Sequence, residues 1–255
     1  MEISVEKINV KDANYFYDAY NVHVEDHRIL TIVTYCEVTA GKWIKDSKKA
    51  YNSKSLPNTV IVGLSVERRL DDYSRYGLRD TPYQLLHLCI GSHCLIYHLP
   101  DRYDYRDAPV KFLNSFLSDP KVVVVGMEIK EKASKLKRDF GVKIKNVVDL
   151  NELALKGMNR DELDLGRYDL DKLAKAVLGK HVDVVRPEKK IEWFATGKWC
   201  HYYSDELSQE KVLFTTVDAY LCFWIGSELF DMIHGNDSSA AGSSKKNKKK
   251  KNKKK

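Results

Sequence analysis

The chain has 255 residues, 43% of them hydrophobic and 31% charged, a balance that excludes a wholly disordered or fibrous protein and a length that can bury a core. Its formal charge is +7, but residues 245–255 read KKNKKKKNKKK, and without those nine lysines residues 1–244 carry −2. The basicity therefore belongs to a tail, which excludes a strongly basic folded body.

Arg28–Thr39 (RILTIVTYCEVT) is rich in β-branched residues and reads as a strand, followed by a polar helix over Ala40–Ser53 with Trp43 and Ile44 on its apolar side. Asn58–Arg68 (NTVIVGLSVER) is a second strand, and Arg69–Pro82 a polar loop. Tyr83–Leu99 breaks at Gly91-Ser92 into two apolar halves, the pattern of a β-hairpin. Ala108–Leu117 is helical, with Pro109 suited to its first turn. Val122–Gly126 is a fully apolar strand, Met127–Phe140 an amphipathic helix stopped by Gly141, and Val142–Leu150 a short strand leading into another helix. Tyr168–Leu178 is a helix with Leu170, Leu173, Ala174 and Val177 on one face, and Ser204–Ile233 carries a long apolar helix. From Gly235 the composition cannot form a core and disorder is expected.

This order predicts an α/β fold with a mixed central sheet, three antiparallel strands and then parallel strands, flanked by helices. Three parts are expected: an N-terminal extension over 1–27, one domain over 28–234, and a disordered lysine-rich tail over 235–255. The five cysteines, Cys36, Cys89, Cys94, Cys200 and Cys222, contain no Cys-x-x-Cys pair and read as reduced thiols of a cytosolic or nuclear protein. The opening MEISVEKINVKDANYF shows no secretory signal, and no stretch reads as 18 consecutive apolar residues, so no membrane span is expected. The eight histidines are scattered and read as surface or strand-end residues.

Four stretches carry a resemblance: Val60–Arg68 (VIVGLSVER), Val122–Leu136 (VVVVGMEIKEKASKL), Leu170–Trp199 and Leu207–Ile225 (LSQEKVLFTTVDAYLCFWI). In that order and spacing, over roughly residues 28–233, the chain resembles the DEDDy 3′–5′ exonuclease family, the group of ribonuclease D and the Werner-type exonucleases, and within it the plant Werner-like branch. The resemblance implies a ribonuclease H-like fold. It also implies a site of four carboxylates and a tyrosine, in which the carboxylates hold two Mg²⁺ or Mn²⁺ ions that activate water and stabilise the phosphoryl transition state.

Carried over residue by residue, those motifs are largely broken. Ser65 stands where the first aspartate is expected, before Val66 and the retained Glu67. Lys132 aligns with the second aspartate, Phe214 replaces the tyrosine, and Asp218 keeps its place. Glu67 and Asp218 are thus the remaining metal positions, and weak or no metal binding is expected of them. Glu131 adjoins Lys132 and Glu128 lies one helical turn before it, so either is a rescue ligand if the register differs, or otherwise a solvated surface residue.

Arg69, Tyr73, Arg75, Tyr76 and Arg79 make a basic and aromatic loop after the first motif, where an exonuclease borders its substrate groove, and are candidates for nucleic-acid contact. Trp193, Phe194, Trp199, Tyr202 and Tyr203 read either as base-stacking residues or as anchors of an ordered loop. The expected function is a nucleic-acid-binding pseudoenzyme of this family, with single-stranded DNA or RNA or a 3′ end as partner, and a protein partner or an active paralogue besides. The alternatives are an active exonuclease releasing nucleoside monophosphates, and a protein-interaction scaffold. The lysine run resembles a nuclear or nucleolar targeting signal, with the cytoplasm as the alternative location.

Overall fold

The computed structural model describes residues 2–10, 16–51, 56–68, 83–100, 110–158, 164–179 and 207–249, with side chains described for all of these except 68 and 235–249. Eight strands make one sheet: β1 (Ile3–Ile8), β2 (Tyr17–Val24), β3 (His27–Thr34), β4 (Val60–Arg68), β5 (Tyr83–Ile90), β6 (His93–His98), β7 (Val122–Gly126) and β8 (Asn146–Asp149), in the order β1-β2-β3-β6-β5-β4-β7-β8. β1, β2 and β3 pair antiparallel, as do β4, β5 and β6. The β3–β6, β4–β7 and β7–β8 contacts are parallel.

Helices cover both faces. α1 (Glu37–Ala50), α2 (Lys111–Leu117) and α3 (Ile129–Phe140) bury Trp43, Leu113, Phe116 and Leu136 against Val62, Leu64, Leu86 and Leu88. On the other face α4 (Leu150–Met158), α5 (Leu170–Leu178) and α6 (Gln209–Lys249) bury Leu153, Leu173, Val217, Leu221 and Ile225 against Ile61, Leu85, Cys89, Ile96 and Val125. A central strand covered on both sides needs apolar residues at consecutive positions. β5 accordingly reads YQLLHLCI, with seven of its eight residues buried.

Local chemistry sets the element ends. Gly91 turns the β5–β6 hairpin at φ 58°, and Gly141 closes α3 at φ 66°, donating to the Lys137 carbonyl at 3.1 Å. Asp169 caps α5, its carboxylate accepting from the Lys172 N–H at 2.8 Å. β3 stops five residues before the sequence reading ends it. Thr34 Oγ1 accepts from the Cys36 N–H at 3.0 Å and donates to the Phe16 carbonyl at 2.6 Å, which turns the chain into α1 at Glu37.

Three further differences from the sequence reading have physical causes. The stretch taken as an N-terminal extension supplies β1 and β2 to the same sheet, and Ile3 and Val5 pack onto the core beneath α6. The backbone of 235–249, expected to be disordered, continues α6, an elongation that pays no nucleation cost. Within α6, Gln209–His234 is long and apolar enough to cross a membrane by length and composition, yet 67% of its most apolar 18-residue window is buried inside the fold, as in a core helix.

Candidate functional site

Gly63 fixes where α6 meets the sheet. A Cβ there would lie 2.2 Å from the Ala219 carbonyl oxygen and 2.5 Å from the Phe223 nitrogen, so only a glycine lets the helix backbone rest on β4. Side chains alternate along a strand, so Ser65 and Glu67 project to the same face as Gly63, toward α6. Val66 points the other way and packs with the core under α1–α3. Ser65 and Glu67 are both half-buried. Ser65 lies directly opposite His87 on β5, and Glu67 opposite Leu85.

α6 presents Lys211, Phe214, Thr215, Asp218 and Cys222 at spacings of three, four and seven residues, which put them along one side of the helix. Thr215 Oγ1 donates back to the Lys211 carbonyl at 2.7 Å, and Thr216 Oγ1 meets Thr31 Oγ1 at 3.1 Å, tying the helix to β3. Phe214 and Asp218 are half-buried, and Lys211 is buried.

Lys132 enters from α3. Ile129, Leu136 and Phe140 of the same helix pack in the core on the α1–α3 face, and Lys132, half-buried beside them, is close enough to the α6 face for its charge to reach Cys222. Glu128 sits at the helix N-cap with φ 50° and is exposed, and Glu131 is exposed as well. Both therefore belong to the solvated helix surface rather than to the cleft.

The electrostatics tie these residues together. Burial pushes the Cys222 thiol up to about 12, with Lys132 pulling it down and Asp218 pushing it up, so both charges are felt at one buried atom. Burial, then the charges of His98, Lys132 and Lys211, push His87 down to about 3, and it is neutral at ordinary pH. β4, β5, α3 and α6 thus bring Ser65, Glu67, His87, Lys132, Lys211, Phe214 and Asp218 into one neighbourhood.

The donor set is two carboxylates and a hydroxyl, with two ammonium groups beside them. Among the described residues no group of three or more His, Cys, Asp or Glu is placed to hold a metal ion. Such a set does not fit the pair of divalent ions that the motif resemblance implies. Hard cations want several anionic oxygens, and each ammonium here opposes them.

Arg69, Tyr73, Arg75, Tyr76 and Arg79 lie outside the described residues, as do Trp193, Phe194, Trp199, Tyr202 and Tyr203. Sequence reasoning missed His87 and Lys211. His87 is 1% exposed, inside the sheet rather than on the surface. Its signal was a lone imidazole in an otherwise apolar run, QLLHLCI, and Lys211 gave none, since a lysine in the first turn of a helix ordinarily faces water.

A family model described as 3′–5′ exonuclease matches residues 72–233, a range that begins after β4 and takes in Lys132, Phe214 and Asp218. A 3′–5′ exonuclease of Arabidopsis thaliana is 26% identical over 174 residues, 68% of this chain and 54% of its own, so the chain spans about half the length of that relative. The catalytic core of RRP6 from Trypanosoma brucei superposes with a TM-score of 0.55 at 15% identity, over 80% of this chain and 48% of that one. Escherichia coli RNase D, an exoribonuclease involved in structured RNA processing, gives 0.55 at 13% identity, over 80% and 45%. The EXD2 exonuclease domain, from crystals soaked in Mn and Mg, gives 0.39 at 20% identity, over 84% and 93%. The fold shared with RRP6 and RNase D is the ribonuclease H-like one, with its mixed sheet between two helical layers.

Proposed function

The chain belongs to the 3′–5′ exonuclease family, and from that premise we propose that it is a nucleic-acid-binding member in which two-metal hydrolysis has been lost. The observation that carries this reading is the position of Lys132, whose charge is felt both at Cys222, together with that of Asp218, and at His87, together with that of Lys211. A lysine in place of an aspartate changes the local charge by two units. At an effective dielectric near 20 each unit is worth about 4 kcal/mol at 4 Å from a cation. Ser65 offers a neutral ligand at best, and Phe214 has no hydroxyl with which to orient a water.

The ligand under this reading is single-stranded DNA or RNA or a 3′ end, with Arg69, Tyr73, Arg75 and Arg79 bordering the groove. Mg²⁺ or Mn²⁺ is the cofactor only if hydrolysis survives. A protein partner or an active paralogue fits the slightly acidic body, the order of motifs fits the plant Werner-like branch, and the lysine run fits residence in the nucleus or nucleolus.

The test is an exonuclease assay on 3′-recessed and single-stranded DNA and RNA with Mg²⁺ or Mn²⁺. It compares wild type, Glu67→Ala and the double variant S65D/K132D. Wild type is expected to release no nucleoside monophosphates. Laddering from the 3′ end by wild type that Glu67→Ala abolishes would establish an active exonuclease and overturn the reading.

A further inference from the structure

α3 carries four lysines, and they differ in what they face. Lys130 pairs with Glu152, Lys135 is buried and pairs with Asp139 at 3.1 Å, and Lys137 is exposed. Lys132 is half-buried, and its ammonium makes no hydrogen bond or ion pair among the described residues. It is an uncommitted cation whose charge reaches Cys222 and His87 on the α6 face, where the other described charges are Glu67, Asp218 and the buried Lys211.

Formal charges decide what such a cleft accepts. Two carboxylates and two ammonium groups sum to zero, and the ammonium with solvent access is the one without a partner. Two carboxylates alone would repel a phosphodiester and require a divalent ion between them and it. With Lys132 in place the counter-charge is part of the chain. His87 adds an independent mark: it is 1% exposed, directly across from Ser65, and neither ring nitrogen has a hydrogen-bond partner. Buried polar atoms left unsatisfied are uncommon in folded proteins, and each calls for a partner or a role.

We propose that Lys132 is a phosphate-binding residue, and that the cleft between β4, α3 and α6 takes a phosphodiester of a single-stranded nucleic acid without a divalent ion. This rests on the nucleic-acid reading given above and assigns the cation that such binding uses. The phosphate oxygens meet Lys132 on the open side of the cleft, away from Glu67 and Asp218.

The experiment is binding of a 5′-labelled single-stranded oligonucleotide to the full-length chain in EDTA, across a salt series, by fluorescence anisotropy. Wild type is compared with K132Q, K132R and K137Q, each checked for an unchanged melting temperature, and with wild type in Mg²⁺. The lysine run contributes equally to all of them. Wild type is expected to bind in EDTA with no gain from Mg²⁺. K132Q is expected to lose about tenfold, a charge-assisted contact being worth roughly 1.5 kcal/mol, while K132R and K137Q stay close to wild type. The slope of log K against log salt is expected to flatten by about 0.7 in K132Q, the value for one phosphate contact on a single strand. Binding by wild type that K132Q leaves unchanged, or that requires Mg²⁺, overturns the inference and spares the nucleic-acid reading. Absence of any binding by wild type overturns that reading and the inference with it.

Discussion

Both ring nitrogens of His87 are buried without a partner, and burial together with the charges of His98, Lys132 and Lys211 holds its pKa down to about 3. In the unfolded chain the same imidazole titrates near 6.5. Between those values the unfolded state binds the extra proton, so the contribution of neutral His87 is fully present above pH 6.5 and is lost as pH falls toward 3. His87→Leu is therefore expected to unfold less steeply on the acid side, by about 1 kcal/mol per pH unit between pH 6 and 4. At pH 7 it is expected to be at least as stable as wild type, since an apolar side chain leaves no unsatisfied group behind. Urea unfolding of both proteins across pH 4–7 measures this, and parallel acid limbs would contradict it. Ser65, Lys132 and Phe214 stand out only because a motif spacing marks the positions, whereas His87 and Lys211 depend on burial set by strands and helices far apart in the chain.

The docking of α6 on β4 is the element-scale feature that assembles the cleft. Gly63 tolerates no side chain, because a Cβ would meet helix backbone at 2.2 and 2.5 Å. At Gly226 the nearest atom is a Val125 methyl at 2.8 Å, a side chain that yields more readily than backbone. Gly63→Ala is expected to cost about 3 kcal/mol and Gly226→Ala less, by the usual range for overpacking. Equal losses in urea denaturation would show that the helix is not held at Gly63. Most elements were legible because their signals are local: Gly91 at the hairpin, Gly141 at the end of α3, the four valines of β7. β1 and β2 were not. Lys7, Asp18, Asn21 and His23 interrupt their apolar residues, and the two strands are defined by pairing, β2 antiparallel to β3 and β1 antiparallel to β2. β3 also ends before its β-branched run does, since a threonine side chain closes it rather than a glycine or proline.

For the molecule as a whole, the fold of the 3′–5′ exonuclease family is kept, while under the proposed reading the charge at its centre is rearranged. The sheet order, the two helical layers and the likeness to RRP6 and RNase D describe a scaffold that holds four elements around one cleft. Under the reading proposed above, the two carboxylates that remain there, Glu67 and Asp218, are balanced by Lys132 and Lys211 instead of divalent ions. Calorimetric titration of Mn²⁺ into wild type and S65D/K132D tests it most directly. Wild type is expected to give heats of dilution alone, and the double variant, which restores two carboxylates and removes one ammonium, a saturable uptake. Saturable Mn²⁺ binding by wild type that disappears in Glu67→Ala would contradict it.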